Sequence, residues 1–414
     1  MEKKFYEMNI RERREALAAE GLPKGALEAV SRPMSADELD GTIENIIGAG
    51  SLPIGVARDF VMNGKKYLVP MMLEEPSVVA AACKACKLTL PDGFTSESLG
   101  NEMIGQIQIK ANDAAAAKRL AEKAMPELEK KGKELTSSLE RYGGGWRGMS
   151  FKEIRTFNGD YLIAEFYVDV GNAMGANRIN TAAEELGQAV AEAANGKYIL
   201  RIISNLATRR MVRARAAWKE ENIGKDGMNG VIDAYAFASN DPYRLATNNK
   251  GIMNGIDAVA LATGNDWRAM EAGLHTYSAI KGMRPLASYE IKGNSLVGTF
   301  EGPLAVATAG GAVGTLRHAK ACISLLGVTS AVELAQVMGC IGLANNFAAM
   351  YALSTEGIQR GHMRLHARNI AIQAGAKGDE IGELAKALSE TGKYDSEAAK
   401  ALLGQIRTKH KKVS

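Results

Sequence analysis

Four stretches of this sequence hold residues suited to chemistry rather than to core filling. The first runs from Asp241-Pro242-Tyr243-Arg244 through Lys250-Gly251-Ile252-Met253-Asn254-Gly255 to Thr263-Gly264-Asn265-Asp266-Trp267-Arg268. A lysine among glycines and amides, with a carboxylate returning sixteen residues later, can hold a cation beside a reacting carbonyl. Taken alone, a surface loop with a solvated lysine is the plainer alternative. In the second, Leu73-Glu74-Glu75-Pro76-Ser77, two carboxylates and a hydroxyl stand at a helix start. Helix capping explains them, since acids favour that end of the dipole. A proton donor does so as well, if the apolar run behind shields the carboxyl. The third, Asp169-Val170-Gly171-Asn172-Ala173-Met174-Gly175-Ala176-Asn177, joins a strand to a helix. Its small residues admit backbone close to a ligand, and the helix N-terminus suits a phosphate. A tight turn is the simpler alternative. The fourth, Gly357 to His366, carries His362 and His366, two of five histidines. No HExxH carboxylate or cysteine accompanies them, so proton transfer is favoured over metal binding.

Composition narrows the setting. The chain has 414 residues, 46% hydrophobic and 24% charged, enough for two or three domains with a large core. A net charge of +4 selects no class of partner. The clusters Arg209-Arg210-Met211-Val212-Arg213-Ala214-Arg215 and Lys409 to Lys412 lack interleaved aromatics, which disfavours nucleic acid. The first reads as a solvated helix face that could also meet an anionic cofactor, the second as a frayed tail. Four cysteines suit a reducing compartment, and Cys83-Lys84-Ala85-Cys86 reads as packing rather than redox chemistry. The first residues lack an apolar signal core, and no stretch reads as bilayer-spanning. The expectation is a soluble cytoplasmic protein.

These groups need elements to position them. Short helices are expected over Arg11 to Glu20 and Ser35 to Ile47, a short extended piece over Val69 to Met72, and a helix from Pro76 to Lys87. Residues 101–209 read as β-α-β-β-α-β. Met103 to Lys110 is a strand, and a long helical stretch from Asn112 to Tyr142 is interrupted at Pro126. Two strands then meet at Asn158-Gly159, and a helix closing at Gly196 leads to a last strand at Tyr198 to Ser204. That is a ferredoxin-like unit inserted into a larger domain. Beyond 210 the chain reads as helices with glycine-rich joints, strands over Ala287 to Phe300, and a very apolar helix from Ala331 to Ala352. Neither GxGxxG after a strand nor GxxxxGK[ST] is present, so a Rossmann fold is not indicated.

Eight segments together resemble one family. They are Glu44-Asn45-Ile46-Ile47-Gly48, Leu52-Pro53-Ile54-Gly55-Val56-Ala57, Glu74-Glu75-Pro76-Ser77, Asn172 to Asn177, Ser204-Asn205-Leu206, Lys250 to Gly255, Gly264 to Arg268 and Gly361-His362-Met363. In this order they are similar to hydroxymethylglutaryl-CoA reductase, in its soluble class II form, over nearly the whole chain. The resemblance implies an α+β fold in three parts. These are a large, mostly helical CoA- and substrate-binding domain (1–100 and 210–355), an inserted small ferredoxin-like dinucleotide-binding domain (101–209) and a helical C-terminal flap (356–414). It implies an oxidoreductase that reduces hydroxymethylglutaryl-CoA to mevalonate and CoA in two hydride transfers from NADPH or NADH, without a metal. It also implies a homodimer with active sites at its interface.

Carried over by motif, the resemblance makes Lys250 the group that polarises the thioester carbonyl, with Asp266 as its charge partner. Glu75 supplies a proton to the bound aldehyde, and His362 protonates the departing CoA thiolate. Ser77, Asn205 and Arg244 hold the substrate, Arg244 through a bidentate fork on its free carboxylate. Arg147, Gly148, Asn172, Ala173, Met174, Gly175, Ala176 and Asn177 face the cofactor. The family motif begins with Asp where this chain has Asn172, which keeps an acceptor and removes a charge. Some NAD-preferring relatives place an Asp at the position of Gly148; its absence here, beside Arg147, favours NADPH. The competing reading is a catalytically silent acyl-CoA-binding relative that lost cofactor binding through Asn172.

Overall fold

The computed structural model of the protein describes residues 3–355 and 367–411. Helices α1 (Ile10–Ala19), α2 (Lys24–Ala29) and α3 (Ala36–Leu39) open the chain. Ser35 and Glu38 form a capping box at α3, but that helix lasts only four residues, so the expected helix over 35–47 is mostly irregular. Strands β1 (Ile54–Met62) and β2 (Lys65–Met72) pair antiparallel about Asn63-Gly64, both at positive φ as a primed turn requires. After α4 (Val78–Leu88) comes β3 (Phe94–Ser98).

The chain then leaves this sheet and builds a second one. Strand β4 (Glu102–Lys110) leads into α5 (Ala114–Lys123) and α6 (Met125–Thr136), divided where Pro126 takes a first-turn position. Strands β5 (Gly145–Thr156) and β6 (Gly159–Asp169) form the expected hairpin, with Gly159 at φ +105°. Helix α7 (Ala176–Ala193) and β7 (Lys197–Ile203) complete the unit. Its all-antiparallel order, β5-β6-β4-β7, is the ferredoxin-like one. It has a core of its own around Phe166, stacked on Trp146 at 5.6 Å.

Return is by β8 (Met211–Lys219), which pairs with β3 and corrects the helix expected there. Its alternation of Val212, Ala214, Ala216 and Trp218 inward against Arg213 and Arg215 is a strand pattern. Arg213 is held by Glu97 and Glu301 on neighbouring strands. Helices α8 (Glu220–Ile223), α9 (Lys225–Ala238), α10 (Pro242–Ala262) and α11 (Trp267–Ile280) follow. Strands β9 (Ala287–Lys292) and β10 (Ser295–Pro303) complete a six-stranded sheet, β2-β1-β3-β8-β10-β9. Thus the larger unit, though rich in helices, is organised on a sheet.

Helices α12 (Gly311–Thr315), α13 (Arg317–Leu326) and α14 (Ala331–Ser354) lie beyond β10. Helix α14 is long and apolar enough to cross a bilayer, contrary to expectation, but most of it is buried in the core. There Phe347 stacks on Trp218 at 3.8 Å. Cys86 and Cys340 are buried core residues. Residues 367–373, Glu380–Thr391 and Ser396–Lys411 are helical and form a separate small core around Leu384, Leu388 and Leu403.

Candidate active site

Lys250 is positioned from behind. Asp241 caps α10, accepting from the Arg244 N–H at 2.7 Å, and Pro242 starts the first turn. The residues before the lysine are buried amides. Asn249 donates to Ser278 Oγ at 3.1 Å and accepts from the Leu286 N–H. Asn248 accepts from Asn346 of α14 at 3.0 Å. Close packing is possible because Gly255 has no side chain: a Cβ there would stand 2.7 Å from the Ile341 carbonyl. These contacts fix the helix and leave the Lys250 side chain 57% exposed.

Its partner comes from 175 residues earlier. The Lys250 ammonium donates to Glu75 Oε2 at 2.8 Å. Glu75 sits between β2 and α4, where Ser77 adopts a left-handed φ of +78° and donates to the Pro76 carbonyl. A side-chain residue held there is strained, as functional turns often are. Asn345 of α14 donates to the Val78 carbonyl, tying the start of α4 to the helix that packs α10.

Asp266, expected as the charge partner of Lys250, is engaged with other groups among the described contacts. It is the N-cap of α11, accepting from the Ala269 N–H, and pairs with exposed Arg268 at 3.2 Å. The turn before it is firm. Gly264 has φ +67°, and Asn265 exchanges two hydrogen bonds with the Ala307 backbone, at 2.7 and 3.1 Å. Arg244 is half-buried with no side-chain partner among the described residues, and Asn205 is exposed. A Cβ on Gly273 would lie 2.6 Å from the Asn205 carbonyl, so that glycine lets α11 approach the Ser204–Ala207 turn. His362, with the rest of 356–366, lies outside the described residues.

The segment before α7 is braced to the larger unit. Gly175, the α7 N-cap, has φ +93°, and a Cβ would collide with Val170 at 2.5 Å. The Ala173 and Met174 carbonyls accept from the guanidinium of Arg210 at 3.1 and 3.3 Å, and the Val306 carbonyl does so at 2.8 Å. Arg210 is 3% exposed, and burial pushes its pKa down to about 10, so it stays cationic at neutral pH. Asn172 uses its side-chain oxygen on the Ala331 N–H at the start of α14, 3.0 Å away, and its carbonyl on the Thr308 N–H. Ala176 and Asn177 begin α7. Arg147 is engaged with Asp169 at 3.3 Å and the Gly143 carbonyl, beside Gly148 at φ +130°. Sequence reading placed Arg210 only in a basic cluster; its three carbonyl partners lie 36 to 96 residues away and leave no local mark.

A model of the family described as hydroxymethylglutaryl-coenzyme A reductase matches residues 9–367. The chain belongs to this reductase family. A 3-hydroxy-3-methylglutaryl-coenzyme A reductase from Archaeoglobus fulgidus is 46% identical over 411 residues, covering 98% of this chain and 94% of the relative. A probable reductase from Borreliella burgdorferi is 36% identical, over 81% of this chain and 78% of its own. Among solved structures, the Streptococcus pneumoniae reductase aligns with TM-score 0.83 and 36% identity over 97% of this chain and 99% of that one. A class II structure from that organism, described as bound to NADPH in open conformations, aligns at 0.82. Membership of the reductase family makes this chain an oxidoreductase that converts hydroxymethylglutaryl-CoA to mevalonate.

Proposed function

We propose that Lys250 and Glu75 form the reacting pair of a class II reductase; their 2.8 Å ion pair, joining two distant segments, carries the reading. Lys250 holds the developing oxyanion of the thioester and then of the aldehyde, where a fixed cation stabilises charge that appears only in the transition state. Glu75, a carboxylate while paired with Lys250, takes up a proton from solvent before passing it to the aldehyde oxygen in the second reduction. His362 protonates the CoA thiolate as it departs. Asp266 becomes the second carboxylate on Lys250 when the site closes. The exposed Arg268 pair that it must leave is worth about 1 kcal/mol or less, so the exchange is cheap. Arg244 grips the free carboxylate of the substrate, with Ser77 and Asn205 beside it.

The segment from Asn172 to Asn177 fits a dinucleotide: the Gly175 turn presents small residues and the N-terminus of an 18-residue helix to a phosphate. A bound nicotinamide dinucleotide supplies the hydrides. Arg147 and Gly148 leave NADPH the favoured form, and a relative of this fold is described as bound to it. The chain works in the cytoplasm, as a homodimer with active sites at the interface. Residues 101–209 serve as the dinucleotide domain, 356–414 as the flap, and the remainder as the CoA domain.

The test is oxidation of NADPH and, separately, NADH by the purified protein with hydroxymethylglutaryl-CoA, beside Lys250→Ala. Expected are two cofactors oxidised per CoA released, a higher specificity constant for NADPH, and a loss in the variant of about 100-fold or more. A folded wild-type protein silent with both cofactors would favour an acyl-CoA-binding relative instead.

A further inference from the structure

We propose that Asp257, Glu271 and His275 form a proton-sharing clamp between α10 and α11, and that Asp257 and Glu271 are positioning residues that set Lys250 against Asp266. The inference rests on the roles assigned above to Lys250 and Asp266. Asp257 follows Lys250 by seven residues, two helical turns, and so shares its side of α10. Glu271 and His275 lie one turn apart on α11, the helix that Asp266 caps. His275 Nε2 donates to Glu271 Oε2 at 2.7 Å, and the Asp257 carboxyl of α10 stands within interaction distance of that Glu271 carboxylate. Two carboxyl groups can hydrogen-bond only if one keeps a proton. Asp257 keeps it: burial, and then Glu271, push its pKa up to about 8. Glu271 is held low by His275, which its carboxylate raises in turn. The second Asp257 oxygen is enclosed without a hydrogen-bond partner among the described residues.

Among the described residues, other elements bring no competing charge to the clamp. Helix α14 offers α10 the amides of Asn345 and Asn346. His318 of α13 meets α10 one turn beyond Asp257, at the Leu261 carbonyl, and burial lowers its pKa and keeps it neutral. Among the described residues, Glu271 is the charged side chain that acts on Asp257. Deprotonation of Asp257 would set two carboxylates against each other at this link between α10 and α11. The Lys250–Asp266 geometry would then loosen as pH rises through about 8. An error of about 1 Å there is worth up to 100-fold in turnover.

The experiment compares wild type, Asp257→Leu and Asp257→Asn from pH 6 to 10, reading kcat, KM and Tm. Leucine breaks the clamp, and kcat should fall about tenfold or more with little change in KM. Asparagine still donates to Glu271 without titrating. It should restore what leucine loses and abolish the alkaline fall in kcat near pH 8. A wild-type kcat in Asp257→Leu, or an Asp257→Asn profile that superimposes on wild type, overturns the clamp. If the leucine variant does not fold, the asparagine profile alone decides. If the wild type does not turn over at all, the reductase roles fail and Tm decides the shared proton. The native state keeps a proton that the unfolded chain releases from about pH 4 upward, so wild-type stability falls with pH until about 8. The Tm of wild type should fall relative to that of Asp257→Asn from pH 5 to 8 and level off above; parallel curves would refute it.

Discussion

Replacing Arg210 by methionine probes how the cofactor segment is held. Methionine matches the aliphatic length of arginine and removes all its donors. The Ala173, Met174 and Val306 carbonyls lose partners at 3.1, 3.3 and 2.8 Å. An acceptor left unsatisfied in the interior costs about 1–3 kcal/mol. Three such losses would exceed 3 kcal/mol, but the variant also escapes the desolvation of a guanidinium that is 3% exposed. Water can also reach the Ala173–Gly175 loop, which lies near the surface. The net loss should be about 3 kcal/mol, read by urea denaturation at neutral pH. Function should change unevenly: KM for NADPH should rise severalfold, and KM for the acyl-CoA should hold. Lysine, which can serve fewer carbonyls, should fall between. A variant within about 0.5 kcal/mol of wild type, with both KM values unchanged, would refute the brace.

Three further outcomes are expected. Gly255→Ala would force α10 from α14 at the Ile341 carbonyl, 2.7 Å from the new Cβ, and should lose about 1–3 kcal/mol by calorimetry with reduced kcat. Asn172→Asp keeps the acceptor on the Ala331 N–H and adds charge at a helix N-terminus; it should gain about 0.3–1 kcal/mol and leave turnover intact, whereas activity appearing only in this variant would support the silent relative. Burial raises the Glu333 carboxyl, but Lys65, the Thr329 N–H and Tyr67 outweigh it and hold the pKa at about 2. Stability from this group is therefore present above about pH 4.5 and lost as pH falls toward 2, so Glu333→Gln should be the less stable protein at pH 7 and equal at pH 2 in acid unfolding.

Features set by near neighbours were legible in the sequence: the Asn158-Gly159 hairpin, the break at Pro126, and the apolar helix from Ala331. Strand β8 was obscured because its arginines resemble a solvated helix until Glu97 and Glu301 are seen on flanking strands. The Ser35 helix failed because a good cap cannot sustain a helix without an apolar face to bury. At the site, motif placed Lys250 and Glu75, yet nothing local announced that these two would meet. Asp266 showed the converse: its spacing from Lys250 suggested a pair, and its N-cap position gave it nearer partners, Arg268 and the Ala269 N–H. Asn172 read as a cofactor ligand, while its oxygen is spent on a helix 159 residues away.

The inserted sheet departs from β3 and returns at β8, and those strands are neighbours, with Ser98 opposite Val212. The large sheet therefore cannot close until residues more than a hundred positions apart find each other. In an unfolded chain that loop carries the full closure entropy of its length. Once the insert has folded, its two ends emerge side by side and the effective loop shrinks to a few residues. Loop-length scaling puts the saving at about 2 kcal/mol. The smaller unit thus acts as a folding staple for the larger: assembly runs from the inside of the chain outward, and a lesion in the 103–194 core would first slow refolding of the sheet that carries the chemistry.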